Sequence, residues 1–359
     1  MKKSKRVLVC PLDWGLGHAT RCIPIINYLL QHGFEVVIAA HGEPLILLQQ
    51  EFPQLQFVSF EGYKINYTKR WVALNMALSV PRILFGIYRE HQQLKNIIAE
   101  NKIDLVISDN RFGCWNKEIP SVFITHQVFI RAPYFQNVIN KINHWFLKHY
   151  AQCWIPDVES ENNFSGELAH AKKMPSTASY IGLLSRFSES EKQEKTNFEY
   201  DVCAIISGPE PQRTLLEEKV ITQLKALKIK AIVVRGILSK EEKKITESMT
   251  LLNHLPLKQL EDVIKKSKII VCRSGYSSIM DLARIGKKAI LVPTPEQTEQ
   301  EYLAAYFLQR GICFSQQQSN FDLKKAIAES EHYKGFTSVH SSLDLRKQLN
   351  ELGFDIANS

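Results

Sequence analysis

Short β-branched runs separated by longer helical patterns recur along this chain, and that alternation restricts its fold more than any other feature. Val7–Leu12 reads as a strand, His18–Gln31 as a helix closed by Gly33, and Glu35–Ala40 as the next strand. A helix near Glu43–Phe52 and strands at Gln56–Phe60, Ile103–Ser108 and Ser121–Thr125 continue the pattern. Strands that alternate with helices build parallel sheets, because each crossover helix carries the chain back and covers a sheet face on the way.

The pattern stops at Ser185–Glu199, a polar, charged stretch nearly free of aliphatic residues, which reads as a linker. It then restarts. Strands are predicted at Asp201–Ser207, Lys230–Arg235, Lys268–Arg273 and Lys288–Pro293, and helices at Gln212–Leu227, Leu257–Lys266, Ser277–Ile285 and Thr298–Gln309. The expected fold class is therefore α/β, with two Rossmann-like, doubly wound parallel-sheet domains. The expected boundaries are 1–185, a linker at 186–199, a second domain at 200–340 and a tail at 341–359. The tail's helix, about Ser341–Leu352, is expected to pack back on the first half. Open α/β sheets bind ligands beyond the carboxyl ends of their strands, so the site is expected in the interdomain cleft, built by the loops after the strands.

Composition narrows the choice of partner. A formal charge of +8 suits an anionic ligand or membrane surface, but the absence of a dense basic stripe disfavours nucleic acid. The seven cysteines are widely spaced and several fall inside strands, which suits small buried hydrophobes in a reducing cytoplasm better than a disulfide framework or a zinc site. The first apolar run is too short for a signal peptide. The most apolar stretch, Trp71 to Tyr88, is interrupted by Asn75, Pro81 and Arg82 and does not read as a spanning helix.

Four loops could carry chemistry. The first, Asp13-Trp14-Gly15-Leu16-Gly17-His18-Ala19-Thr20-Arg21, follows the first strand. Gly15 and Gly17 permit a sharp turn and close approach to a ligand. His18 starts a helix whose dipole disfavours imidazolium, so it is expected to stay neutral and serve as a base. An incidental histidine in a tight turn is the plainer alternative. Asp13, Asp109 and His126, the last two also after strands, could line an acceptor pocket or act only as loop caps.

The other three loops lie in the second half. Ser207-Gly208-Pro209-Glu210-Pro211-Gln212-Arg213 could hold a diphosphate with Arg213 nearby, or be a Pro-rich turn. Arg273-Ser274-Gly275 ends a strand, and Ser277 and Ser278 then start a helix, an arrangement that suits phosphate. Asp281, one turn on, could accept from ribose hydroxyls or simply be solvated. After Pro293, Gln300 and Glu301 could bond sugar hydroxyls. No metal site and no cofactor are expected, because amides with Arg213 or Arg273 can carry the diphosphate charge.

Together these loops resemble glycosyltransferase family 28. The likeness covers both halves and is strongest from Val271 through Gly311, VCRSGYSSIMDLARIGKKAILVPTPEQTEQEYLAAYFLQRG. It implies the GT-B architecture. It also implies transfer of a sugar, N-acetylglucosamine or a related hexose, from a UDP-sugar to a cell-envelope glycan or glycolipid. Ser277 and Ser278 match positions that hold the α-phosphate, Asp281 a carboxylate on the ribose, and Gln300 and Glu301 a Gln-Gln pair that reads the donor sugar. Leu257 falls near the position that meets the base, Ser207 and Gly208 match a diphosphate loop, and His18 matches a histidine on the acceptor side. Asp281 replaces the usual Glu, Glu301 replaces the second Gln, and the diphosphate loop keeps one glycine and gains two prolines.

Gly15-x-Gly17-His18-x-x-Arg21-Cys22 is also similar to the start of nucleotide-sugar hydrolases on a related fold, in which the loop histidine activates water. A UDP-sugar hydrolase is thus the alternative to an inverting, metal-independent transferase, and an idle nucleotide-sugar binding protein is a third reading. Lys64 to Lys95 holds six basic residues and one acid, interleaved with Trp71, Leu84, Phe85 and Tyr88. Such a segment suits peripheral docking on an anionic inner membrane face, or two helices packing on the sheet. Pro133 to Tyr150 has a similar mix.

Overall fold

A computed structural model describes residues 4–63, 72–187, 198–238, 243–246, 248–339 and 343–356. The chain forms two compact units, one of residues 1–184 and 342–359 and the other of residues 185–341.

In the first unit the order is β1 (Arg6–Pro11), α1 (Leu16–Gln31), β2 (Glu35–Ala40), α2 (Gly42–Glu51), β3 (Gln56–Ser59) and α3 (Val72–Asn101). Then follow β4 (Leu105–Asp109), β5 (Ser121–Ile124), α4 (Gln136–Leu147), β6 (Gln152–Ile155) and β7 (Ala178–Tyr180). The sheet runs β3-β2-β1-β4-β5-β6-β7, and every pair is parallel. Val7, Leu8, Val9 and Cys10 of the central β1 have no exposed surface, as expected of a strand covered on both faces. Each such aliphatic side chain contributes about 1.5–3 kcal/mol when fully buried.

The second unit contains β8 (Tyr200–Ile205), α5 (Gln212–Leu227), β9 (Ala231–Val234), β10 (Lys243–Ile245), β11 (Met249–Leu252) and α6 (Leu257–Lys265). It continues with β12 (Ser267–Cys272), α7 (Tyr276–Ile285), β13 (Ala289–Leu291), α8 (Thr298–Gln309), β14 (Phe314–Ser315) and α9 (Leu323–Ser330). Its sheet runs β10-β11-β9-β8-β12-β13-β14, with only the β10–β11 edge antiparallel. In both sheets the winding reverses beside a central strand, between β1 and β4 and between β8 and β12. Crevices open at such switch points.

The tail returns to the first unit as α10 (Arg346–Glu351). Gln152 Nε2 donates to Gln348 O at 3.2 Å and to Glu351 Oε2 at 3.0 Å, and Tyr28 Oη donates to Asp344 at 3.2 Å. At the head of the polar stretch that reads as a linker, Ser185, Arg186 and Phe187 pack within the second unit, Ser185 and Arg186 directly on α7. Residues 188–197 of that stretch lie outside the described residues, as do Lys64, Lys69, Arg70 and Trp71 of the basic segment. Where two helices were the alternative for that segment, one helix, α3, runs from Val72 to Asn101 through Pro81. Its Glu90 is not part of a solvated charge pattern: it is buried and accepts from Arg111 Nε at 2.7 Å.

Candidate active site

At the first switch point, Pro11 of β1 sits opposite Asp109 of β4. The chain then turns through Gly15, whose φ of 145° is one that side chains rarely adopt, and enters α1 at Leu16. That start places His18 in the first helical turn and Arg21 one turn later on the same face. Asp109 is wholly buried at the end of β4. Arg21 Nε donates to its two oxygens at 2.7 and 2.8 Å, and Arg21 Nη2 donates to Oδ1 as well. His18 Nδ1 lies 3.1 Å from Asp109 Oδ2 and 2.8 Å from Arg21 Nη2. His126 Nδ1 lies 3.1 Å from Arg21 Nη1.

His18, Asp109 and His126 therefore form one cluster, and the residue that organises it, Arg21, was not among the candidates. Its sequence signals are the spacing three residues after His18 and its place in the Gly15-x-Gly17-His18-x-x-Arg21-Cys22 pattern. Asp109 is more than a loop cap: it is half of a buried ion pair. Asp13 stands apart, accepting from Gly62 N at 2.9 Å, so it anchors the loop and not the cluster. The Gly17 carbonyl accepts from Thr20 Oγ1 at 3.0 Å.

Electrostatics keep the cluster's charges apart. Burial, and then the Arg21 charge, lower the His18 pKa below its ordinary 6.5 against the opposing pull of Asp109. Burial works against ionisation of Asp109, but Arg21 and His18 outweigh it and hold the carboxyl below 3.8. At neutral pH the arrangement is a neutral imidazole beside an ionised, Arg-paired carboxylate.

At the second switch point Ile205 of β8 pairs with Cys272 of β12. Beyond them, Gly208 takes a φ of 112°, and a Cβ there would lie 3.5 Å from Thr294 Oγ1 and 3.7 Å from Arg273 Nε. Arg273 is buried and donates to Ser207 O at 3.3 Å, Gln212 O at 2.8 Å, and Val292 O and Pro293 O at 3.2 Å. Burial lowers its pKa to about 10, which still leaves it charged at neutral pH. Thr294 Oγ1 beside it is buried without a hydrogen-bond partner. Ser274 is buried and donates to Gln300 O at 2.7 Å. Gly275 is the N-cap of α7, so Ser277 and Ser278 fall in its first turn, where amides lack intrahelical acceptors and suit an anion.

Other candidates are committed elsewhere. Arg213, expected at a diphosphate, pairs with Glu210 and Glu217 at 2.6 Å each and also bonds Thr214 Oγ1, because α5 places those acceptors within one turn. Gln300 Oε1 accepts from Thr294 N at 2.9 Å and Glu301 Oε1 from Glu296 N at 3.1 Å, so both brace the loop before α8. Asp281 is not solvated: it is buried and accepts from Ser185 Oγ at 2.8 Å and Arg186 Nε at 3.0 Å. Leu257 opens α6 directly after Pro256.

The glycosyltransferase family 28 C-terminal domain matches residues 211–338, which include Arg273, Thr294 and the first turn of α7 but not Ser207 and Gly208. The UDP-N-acetylglucosamine--N-acetylmuramyl-(pentapeptide) pyrophosphoryl-undecaprenol N-acetylglucosamine transferase of Pasteurella multocida (strain Pm70) is 23% identical over 318 residues, covering 86% of this chain and 82% of that protein. The chain is a glycosyltransferase, and its residues 211–338 match the family 28 C-terminal domain. Its fold agrees: MurG of Acinetobacter baumannii superposes with a TM-score of 0.54 at 13% identity, over 97% of this chain and 98% of that one. The spinosyn rhamnosyltransferase SpnG, complexed with thymidine diphosphate, superposes with a TM-score of 0.63 at 13% identity, over 92% and 93%. This glycosyltransferase thus has the GT-B architecture.

Proposed function

We propose that this glycosyltransferase moves N-acetylglucosamine or a related hexose from a UDP-sugar to a cell-envelope glycan or glycolipid, with inversion and without a metal. The observation that carries the reading is Arg273: a buried guanidinium that, among the described residues, meets only carbonyls and no carboxylate. A buried cation without a counter-ion suits an anionic ligand. With the first turn of α7 it would stabilise the departing diphosphate electrostatically. Ser207, Gly208, Ser277 and Ser278 would hold the phosphates, Asp281 the ribose, Leu257 the base, and Gln300 and Glu301 the sugar.

In the first unit, His18 would take the proton of the acceptor hydroxyl and Asp109 would stabilise the imidazolium that forms. The likeness to the Pasteurella multocida transferase supports a lipid-linked acceptor. The test is a thermal-shift screen against UDP, GDP, dTDP and their sugars, followed by nucleotide release with and without a membrane-lipid extract, in EDTA. Stabilisation by one UDP-sugar, with release dependent on the extract, is the expected result. Release in water alone, lost in His18→Ala, would assign the hydrolase; no stabilisation by any nucleotide would refute the reading.

A further inference from the structure

The buried cluster of the first unit contains a conflict over one nitrogen. His18 Nδ1 has Arg21 Nη2 at 2.8 Å and Asp109 Oδ2 at 3.1 Å. A guanidinium can only donate. The shorter contact is therefore a hydrogen bond only if Nδ1 offers a lone pair, which places the ring proton on Nε2. The longer contact is a hydrogen bond only if Nδ1 carries the proton, which sets two donors against each other at 2.8 Å. Asp109 does not need the imidazole, since Arg21 already donates to both its oxygens. His126 repeats the relationship, with Nδ1 at 3.1 Å from Arg21 Nη1.

We infer that Arg21 is a positioning residue that sets histidine tautomers: it takes the Nδ1 lone pairs of His18 and His126 and leaves the proton of each ring on Nε2. His18 in this arrangement presents an N–H donor, not a base. It becomes a base only when Arg21 releases Nδ1 and the proton moves there, bonded to Asp109. No net proton is gained or lost in that exchange: the ring takes a proton from water at Nδ1 and gives its Nε2 proton back to water. Arg21 would thereby hold the base out of action until an acceptor disturbs the cluster. That last consequence rests on the proposed role of His18; the tautomer assignment does not.

The test is long-range ¹⁵N–¹H NMR of histidine-labelled full-length protein near pH 8, with resonances assigned by His18→Gln and His126→Gln. Wild type is expected to show both rings protonated on Nε2. Arg21→Met is expected to move the His18 proton to Nδ1, and Arg21→Lys, with one nitrogen in place of a fork, to move it in at least one ring. Wild-type His18 protonated on Nδ1 overturns the inference even if neither variant folds, and so does an unchanged tautomer in a folded Arg21→Met. Donor turnover is measured beside it. A several-fold rise in water-directed nucleotide release in Arg21→Met is expected, whereas no turnover by any variant with the tautomers as inferred would remove the proposed role of His18 alone.

Discussion

Arg186 Nε donates to Asp281 Oδ2 at 3.0 Å, and Ser185 Oγ donates to the other oxygen of the same carboxylate at 2.8 Å. A nucleotide whose ribose reaches Asp281 must share the carboxylate with these two donors or replace them. Burial raises the Asp281 pKa, and the bonds to Arg186 and Ser185 only partly offset it. Asp281→Asn removes the charge-assisted bond, about 1.5–3 kcal/mol, but also the larger desolvation penalty that raises the pKa, so the drop in Tm should be smaller than the bond alone implies. Ser185→Ala should cost about 1 kcal/mol. If Asp281 reads the ribose, Asp281→Asn also weakens binding of UDP but leaves inorganic diphosphate binding alone. Equal loss for both ligands would show that the residue matters only for folding.

The lowered pKa of His18 fixes the sign of a pH effect. The base form is the neutral imidazole, so activity should be level at and above pH 6.5, the ordinary histidine value, and fall only below it. Asp109→Asn removes the charge that favours imidazolium and should move the acid limb further down. His18→Ala should lower kcat/KM by about 10²–10⁴-fold, the usual worth of a general base, with donor affinity unchanged. An acid limb above 6.5, or a donor affinity that falls with the rate, would contradict this assignment.

Arg273 can be separated from the helix amides by comparing ligands. Arg273→Met removes the buried charge and four donations to carbonyls. Binding of UDP should weaken by more than tenfold, corresponding to about 1.4 kcal/mol or more, while UMP should lose less. Thr294→Val, which removes only the unpartnered buried hydroxyl, is the milder probe of the same place. Equal losses for UDP and UMP in Arg273→Met would point to collapse of the Ser207 and Pro293 loops instead.

The sequence made the strands and helices at the switch points legible because their apolar periods are strong. Glu35–Ala40, Gln212–Leu227 and Thr298–Gln309 have the boundaries that their patterns predict. The edge strands β7, β10 and β14, of two or three residues, carry too little pattern to register. In the site, glycine turns and helix starts announced themselves, and His18, Asp109 and His126 fell after strands. What could not be read was which side chains pair. Arg21 reaches Asp109 across 88 residues and Arg186 reaches Asp281 across 95, and such pairings follow from the sheet order and not from local spacing. Arg213 misled for the converse reason: its carboxylate partners lie on its own helix and at its start.

A membrane role depends on surfaces of the first unit. On α4, Val138, Ile142 and Trp145 are about half exposed and recur at helical spacing, and Phe135 just before them is 73% exposed. Exposed Lys141 and Lys148 lie on the same helix or just past it. On α3, Leu84, Phe85 and Tyr88 are exposed beside exposed Arg82 and Arg89. No described helix is long and apolar enough to cross a bilayer, so the contact would be interfacial. Each lysine or arginine near an anionic surface adds about 1 kcal/mol, and screening weakens it. The protein should float with vesicles containing anionic phosphatidylglycerol and not with neutral ones. Trp145→Glu and Lys141→Glu, both at exposed positions, should reduce flotation without lowering Tm. Protein that stays in the soluble fraction with anionic vesicles at low salt would rule out docking, and binding unchanged by Trp145→Glu would exclude α4 as its site.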